Sequence, residues 1–359
     1  MAPPSPARHR AEAFCADMGL RAPVLLAPMA GACPPALSAA VAGAGGMGAC
    51  GALLMKPSSI TRWAEEVRAA TSGPFQLNLW IPDPPARRDP PAEAAVRAFL
   101  ARWGPEVPVD AADAPLPDFD EQCEAMLGAR PAVISSIMGL YPAPFVAALK
   151  ARGVRWFATV TTVAEAVAAE AAGADAVVAQ GMEAGGHRGA FDADQAARRM
   201  VGLFSLVPAV VDAVAIPVIA TGGIGDTRGV AAALTLGASA AQVGTGFLRC
   251  PEAGTAAPWA DGLTRTRPED TIVTRAYSGR AGRAIATAYA VAATGPDAPE
   301  PAPYPVQRAL TGPMRQAGGA AGDLDRMQPW AGQSAALARA IPAGELVGEL
   351  WAGAQELLP

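Results

Sequence analysis

The chain has 359 residues, a formal net charge of −5 and only 17% charged residues. This length is sufficient to bury a large core, either as one barrel-sized domain or as a barrel with a smaller domain. Because no basic patch stands out, the composition argues against a protein that binds nucleic acid.

From about residue 22 to residue 250, short apolar runs alternate with alanine-rich helical runs. Near-continuous apolar strands are typical of parallel sheets, which are buried on both faces. Eight such strands separated by helices predict an α/β fold, a (β/α)8 TIM barrel. The predicted strands are Val24–Pro28, Gly46–Ala52, Phe75–Trp80, Ala132–Ile137, Arg155–Val160, Ala174–Gln180, Val218–Thr221 and Ala240–Gly244. The predicted helices include Ser58–Ala70, Pro144–Arg152, Val163–Ala172 and Thr227–Leu236.

Two stretches interrupt this alternation. Residues 81–130 are rich in proline, aspartate and arginine, and they predict a long insertion after the third strand with one helix, Ala92–Trp103. Beyond Cys250 the alternation stops. We therefore expect the barrel in residues 1–250. Residues 251–359 are expected to form a mainly helical subdomain that covers the substrate, with its last helix packed on the barrel.

The five cysteines are widely spaced and odd in number, and none forms a C-x-x-C pair. This pattern predicts reduced thiols in a cytoplasmic protein, with no metal site and no disulfide framework. The first six residues lack the apolar stretch of a signal peptide. The most apolar window, residues 201–220, contains two prolines and an aspartate, so it predicts buried elements rather than a membrane span.

One of the two histidines, His187, lies in the glycine-rich segment Gln180-Gly-Met-Glu-Ala-Gly-Gly-His-Arg-Gly189, directly after an apolar strand. Glycines let a backbone adopt unusual dihedral angles and approach a ligand closely. An imidazole beside them is suited to proton transfer near neutral pH. The alternative is a glycine-rich turn with a solvated histidine.

Two further glycine-rich turns follow the seventh and eighth strands, at Ala220–Asp226 and Gln242–Phe247. In a barrel this arrangement is typical of phosphate binding, by backbone N–H groups and a helix N-terminus, most often for FMN. Thr245 adds a hydroxyl donor. Tight turns between buried elements are the alternative.

Polar or small residues also mark the ends of other strands. Asn78 and Gln180 lie in or end apolar strands, where a buried amide needs a partner. Each predicts either a hydrogen bond to a flavin edge or one to neighbouring backbone. Ala27-Pro-Met-Ala-Gly31 ends the first strand with small residues, against which a flat ring could lie.

These segments together resemble the nitronate monooxygenase family, formerly called 2-nitropropane dioxygenases. The resemblance runs from about residue 21 to the C-terminus. It rests on Ala27–Gly31, Gln76–Trp80, Gln180–Gly189, Ala220–Ile224, Gln242–Gly246, Ser278-Gly-Arg280, Pro303–Gln307 and Trp330-Ala-Gly-Gln333.

The resemblance implies FMN as cofactor, no metal, and His187 as the catalytic histidine. It also implies that Tyr304 contacts the substrate and that Ser278 contacts either the substrate or the cofactor. The implied cofactor-binding residues are Pro28, Met29, Asn78, Gln180, Gly185, Gly186, Gly222, Gly223, Gln242, Val243, Gly244 and Thr245. One departure concerns the pocket: relatives often read Ser-Phe-x-Phe-Gly where this chain has Ser135-Ser-Ile-Met-Gly139. We expect an aromatic wall to be lost there.

The implied activity is oxidation of alkyl nitronates by O2 to a carbonyl compound and nitrite, a detoxification for which propionate 3-nitronate is one candidate substrate. His187 would be the base for neutral nitroalkanes. The nearest alternative is an FMN-dependent NAD(P)H reductase of quinones or enoyl-acyl carrier protein. A non-catalytic flavin-binding barrel and a structural protein are weaker alternatives. No nucleic acid or membrane partner is expected, and a homodimer is left open.

Overall fold

The computed structural model describes residues 5–113 and 115–358. These ranges contain eleven strands and fourteen helices longer than a 3-10 turn. The strands are β1 (Val24–Leu26), β2 (Gly48–Gly51), β3 (Phe75–Trp80), β4 (Val133–Ile137), β5 (Arg155–Val160), β6 (Ala176–Gln180), β7 (Gly186–His187), β8 (Val218–Thr221), β9 (Ala240–Val243), β10 (Thr271–Thr274) and β11 (Gly282–Ile285).

Eight of these strands form one parallel sheet in the order β1-β9-β8-β6-β5-β4-β3-β2. The sheet closes on itself, since Leu25 and Met47 form a parallel bridge between β1 and the start of β2. Leu26 N donates to Met47 O at 2.9 Å, and Met47 N donates to Val24 O at 3.1 Å. The predicted TIM barrel is therefore confirmed, with every predicted strand in place and shifts of only one or two residues at strand ends.

The helices lie between the strands and around the ends of the barrel. They are α1 (Pro6–Met18), α2 (Pro35–Gly43), α3 (Pro57–Ala70), α4 (Pro90–Leu100), α5 (Phe119–Gly128), α6 (Ala143–Ala151), α7 (Val163–Ala171), α8 (Leu203–Val211), α9 (Thr227–Thr235), α10 (Ala257–Arg265), α11 (Ala288–Ala292), α12 (Val306–Leu310), α13 (Gly312–Ala321) and α14 (Ala343–Leu357). In the described ranges, no helix combines the length and the apolar character needed to cross a bilayer.

The sequence pattern did not predict α1, which closes the amino-terminal end of the barrel. Phe14 and Met18 of α1 pack with Leu25, Phe157 and Ile219, which are almost fully buried inside the barrel. Because this end is filled with apolar side chains, the opposite end is left for a ligand site. The pattern missed α1 because its apolar positions are few and are separated by arginine and glutamate.

The insertion after β3 contains two helices where the sequence predicted one. The second helix, α5, begins after Asp118, whose carboxylate accepts a hydrogen bond from Glu121 N at 2.9 Å. It packs against α3 and supplies the barrel helix between β3 and β4. The inserted segment is therefore shorter than residues 81–130, and proline and aspartate next to α5 concealed this helix in the sequence.

The segment after β9 contains strands as well as helices. The antiparallel pair β10 and β11 adds the two-residue strand β7, so that Gly282 pairs with His187. This small sheet connects the C-terminal segment directly to the glycine-rich loop after β6. The last helix, α14, leaves that segment and packs against α9 and α2.

Candidate active site

A cavity of about 360 Å³ lies at the carboxyl ends of the barrel strands, the end where barrel enzymes place their sites. We call it the main cavity. Twelve of the predicted site residues line it, and they come from five different strand ends: Pro28, Met29, Asn78, Gln180, Gly185, Gly186, His187, Gly222, Gly223, Gln242, Gly244 and Thr245. Three predicted residues do not line it. Val243 lies in the apolar core, Ser278 is buried behind His187, and Tyr304 lines a neighbouring cavity.

His187 is held by the small sheet and by Ser278. Its Nε2 lies 2.7 Å from the Ser278 hydroxyl oxygen. That oxygen also accepts a hydrogen bond from Arg280 N at 3.3 Å and can donate to Arg280 O at 3.2 Å. Because Ser278 is fully buried, this arrangement fixes the imidazole ring relative to the barrel. Ser278 is therefore a positioning residue for His187.

Two indole rings enclose the imidazole. The ring centroid of His187 is 4.5 Å from that of Trp80 and 4.7 Å from that of Trp330, both in edge-to-face geometry. Burial, together with the charges of Arg280 and Arg308, lowers the pKa of His187 to about 3. The imidazole is consequently neutral at neutral pH and can accept a proton.

Gln180 holds the loop that carries His187. Its Nε2 donates to His187 O at 3.0 Å, and its Oε1 accepts from Gly189 N at 2.8 Å and from Arg188 Nη1 at 3.2 Å. The amide thus satisfies backbone groups at the end of its own loop. Of the two alternatives left open by the sequence, these contacts match the one in which the amide bonds neighbouring backbone.

Asn78 belongs to a buried chain of polar groups across the barrel. Its Nδ2 donates to Ser135 Oγ at 3.0 Å, and that hydroxyl donates to Gln76 Oε1 at 2.9 Å. Gln76 Nε2 donates in turn to Gln242 Oε1 at 3.0 Å. The chain orients both outer amides, so that Asn78 and Gln242 present their remaining amide groups at the floor of the main cavity.

The turns after β8 and β9 present free backbone donors. Gly222 and Gly223 have φ angles of 117° and 67°, a left-handed conformation that only glycine adopts readily. In the described residues, no protein acceptor is found for the N–H groups of Gly223, Ile224 and Thr245, which line the main cavity. We call these three groups the N–H cradle. Unpaired donors in such a concavity are typical of phosphate sites.

The expected helix N-terminus is not part of this cradle. Asp226 caps α9, and its carboxylate accepts hydrogen bonds from Arg228 N at 3.0 Å and Gly229 N at 3.2 Å. A carboxylate already satisfies these donors and the positive end of the helix dipole. Two donors at the start of α9 are therefore bonded within the protein, and the N–H groups of the turn itself are the candidates for phosphate binding after β8.

Some predicted glycines serve contacts between loops. A side chain on Gly185 would lie 2.5 Å from Gly332 N, and one on Gly222 would lie 3.1 Å from Ala184 N. Gly185 lets the Trp330–Gln333 segment approach the loop after β6, and Gly222 lets the turn after β8 approach the same loop. Gly332 N also donates to Thr245 Oγ1 at 3.0 Å, which leaves the proton of that hydroxyl free for a ligand.

Sequence reasoning placed His187 at the site but missed the charged and aromatic residues around it, Trp80, Trp330, Arg308 and Arg315. We call these five residues the substrate end. None of the lining residues in the described chain is Asp or Glu. In the described chain, the Arg308 guanidinium makes no hydrogen bond or ion pair. The donors of Arg315 bind only neutral oxygens, in Thr311, Gln328 and the Arg308 backbone. The substrate end therefore carries uncompensated positive charge.

The departure in the segment after β4 has a smaller effect than expected. Ile137 lines the main cavity, but Ser136 is buried and accepts a hydrogen bond from Trp156 Nε1 at 3.0 Å. Met138 is buried with a left-handed φ of 68° and does not line the cavity. Aromatic lining is supplied from other segments, by Trp80, Trp259 and Trp330.

Comparison with known proteins identifies the family. The family model described as Nitronate monooxygenase matches residues 13–353. The chain belongs to the nitronate monooxygenase family. It is 39% identical over 339 residues to a nitronate monooxygenase from Paraburkholderia phytofirmans, covering 93% of this chain and 92% of that protein.

Two solved structures are similar along almost the whole chain. Nitroalkane oxidase from Streptomyces ansochromogenes has a TM-score of 0.87 and 37% identity, covering 96% of this chain and 98% of that chain. FabK from Thermotoga maritima has a TM-score of 0.74 and 29% identity, covering 96% of each chain. As a nitronate monooxygenase family member, the protein is an oxidoreductase that oxidises nitronates.

Proposed function

We propose that this nitronate monooxygenase family member binds FMN and converts alkyl nitronates and O2 to carbonyl compounds and nitrite, with His187 as base for neutral nitroalkanes. The observation that carries the proposal is the placement of one imidazole and a cradle of free N–H groups in the lining of the same cavity. Both features lie at the carboxyl ends of the strands, although the cradle residues Gly223 to Thr245 follow His187 by 36 to 58 positions in the chain.

The residues of the main cavity fit a flavin mononucleotide. The N–H cradle and the Thr245 hydroxyl match a terminal phosphate, and the amides of Asn78 and Gln242 match the polar edge of a flat ring. Pro28 and Met29 supply a small apolar surface at the end of β1. When bound, the flavin would supply the redox chemistry that no amino-acid side chain provides.

The protein's own contribution is to orient the reactants and to handle a proton. With Nε2 of His187 bonded to Ser278, its Nδ1 is the ring atom available to remove the α-proton of a neutral nitroalkane. A nitronate has already lost that proton, so it needs no base. Trp80 and Trp330 shield the imidazole from water on two sides.

The uncompensated charge of the substrate end supports an anionic substrate. Arg308 and Arg315 face a cavity without carboxylates, and a nitronate is a planar anion with two oxygens. A guanidinium donates two parallel hydrogen bonds to such a group. Burial lowers the pKa of His187, and the charges of Arg280 and Arg308 lower it further, which disfavours the protonated imidazole until an anion is bound.

The test is to measure O2 consumption and nitrite formation with ethyl nitronate and with neutral nitroethane, beside an NAD(P)H oxidation assay. We expect nitronate oxidation without NAD(P)H, by a yellow protein that releases FMN when it is denatured. A colourless protein that gains no visible absorbance with added FMN would contradict the cofactor. Absence of nitrite would contradict the reaction.

The alternative left open by the sequence is an FMN-dependent reductase that uses NAD(P)H to reduce quinones or enoyl-acyl carrier protein. Anaerobic mixing with NADH or NADPH distinguishes the two. A reductase bleaches the flavin absorbance rapidly, whereas the proposed monooxygenase leaves it almost unchanged.

A further inference from the structure

A second cavity of about 220 Å³ lies beside the main cavity, beneath the insertion after β3. It is formed by residues from five segments: the loop after β2, the end of β3, the inserted loop, the start of α5 and the Tyr304-Pro305 turn. Its lining residues include Ile81, Leu116, Phe119, Tyr304 and Ala86, together with five prolines.

The two cavities share two lining residues, Leu53 and Trp80. Trp80 contacts His187 at 4.5 Å between ring centroids and Tyr304 at 5.0 Å. The indole ring that touches the imidazole in the main cavity is thus also a wall of the second cavity. A substrate whose reacting carbon lies at His187 would enter the second cavity if its chain extended past Trp80.

The second cavity offers mainly apolar surface, because the side chains of Asp83 and Gln122 are already bonded. Its remaining hydroxyl, that of Tyr304, is buried and finds no hydrogen-bond partner among the described residues. The Asp83 carboxylate receives hydrogen bonds from the buried Arg280 guanidinium, including one at 2.8 Å from Nε. Gln122 Nε2 donates to the backbone oxygens of Ala52 and Met55 at 3.0 and 2.8 Å. The prolines carry no N–H donor, so they leave few backbone groups that need a polar partner.

We propose that the second cavity binds the hydrocarbon chain of the substrate, so that the enzyme selects nitronates with unbranched chains of several carbons. The exposed leucines support this assignment, since Leu54 at the main cavity and Leu116 at the second cavity are 41% and 38% exposed. The proposal rests on the nitronate oxidation proposed above.

The experiment compares unbranched primary nitronates of increasing length. We expect kcat/KM to rise roughly fourfold for each methylene that becomes buried, until the cavity is full. Unbranched carboxylates share the planar anionic head of a nitronate and provide a binding readout without turnover. Their dissociation constants, measured by thermal shift, should fall by the same factor per methylene.

Ala86→Phe fills the second cavity, and Leu116→Trp does so from its exposed rim. In either variant we expect the ratio of kcat/KM between hexyl and ethyl nitronate to fall at least tenfold. Val109→Phe is the matched control, because Val109 is 76% exposed in the same insertion and lies outside the cavity. It should leave the ratio unchanged.

The outcomes separate this proposal from the proposed function. If no nitronate of any length is oxidised, the proposed function fails. If nitronates are oxidised but kcat/KM does not rise with chain length, the second cavity does not bind the chain. It does not bind the chain either if both filling variants reduce kcat/KM equally for short and long nitronates, which is the result expected of an entrance passage.

Discussion

At one end of the main cavity, the turns after β8 and β9 offer backbone N–H groups, whereas at the other end side chains from distant segments meet around His187. The N–H cradle depends on glycine dihedral angles, which are local and visible in the sequence. The substrate end depends on tertiary contacts between β3, β7 and the segment after β9. Cofactor binding and substrate choice should therefore respond to different substitutions.

The largest effect should come from His187 at the substrate end. His187→Asn removes the only imidazole in the main cavity, and we expect kcat/KM for neutral nitroethane to fall by about 10²-fold or more. Ethyl nitronate should be affected much less, because it needs no base. His9→Asn is the control, since His9 is exposed on α1. Equal turnover of nitroethane by variant and parent would exclude His187 as the base.

Arg308→Gln tests the charge of the same end. Loss of a charge-assisted contact to an anion should raise KM for ethyl nitronate by roughly ten- to a hundredfold. Neutral nitroethane should show a smaller change, and the flavin should remain bound. Arg265→Gln removes an exposed arginine of α10 as control. A KM change that is equal for both substrates would contradict a role in anion binding.

Gly223→Ala tests the N–H cradle at the opposite end. Its φ of 67° is unfavourable for alanine by about 1–2 kcal/mol, so the turn should shift and weaken FMN binding about tenfold. Equilibrium dialysis of FMN measures the effect. Gly254→Ala has the same kind of backbone strain at φ 60°, outside the cavity. If both variants lose FMN equally, the loss reflects general destabilisation rather than the cradle.

The smallest expected effect is one of pH. Burial lowers the pKa of His187 to about 3, so the imidazole stays neutral and able to accept a proton well below pH 6.5. We expect kcat/KM for freshly dissolved nitroethane to stay nearly constant as the pH falls from 7 to 5. A decline centred near pH 6.5, the ordinary value for histidine, would show that the ring is more solvated than this geometry implies.

Local features such as the glycine-rich turns could be predicted from the sequence, whereas features that depend on tertiary contacts could not. The barrel strands were predictable because each is a short apolar run bounded by glycine or by a helix. The glycine-rich turns and His187 were predictable because their residue types are unusual in such positions. Arg308 and Arg315 were not, since arginine is common in this chain and nothing local indicates that residues more than 100 positions from His187 share its cavity.

The strands that the sequence did not predict also depend on contacts between distant segments. The strands β10 and β11 are four residues each, and they exist because they pair with each other and with β7. A sequence pattern of two to four residues is too short to predict a strand unless the strand with which it pairs is known. Gln180 shows the limit at one residue. Either role for its amide fits the sequence, and only the structure reveals its contacts to Gly189 and His187.

The position of α14 has a consequence for anyone who wishes to divide the protein. The helix α14 packs against α9 and α2, in the place of an eighth outer helix of the barrel. The segment after β9 is therefore an insertion between the last strand and the last helix of the barrel, and not a domain that follows a finished barrel. Truncation after Cys250 would remove Leu346, Val347 and Leu350 and expose to solvent the apolar surfaces of the barrel that these side chains cover. A minimal scaffold is better made by internal deletion, with a short linker that joins the end of β9 to the start of α14.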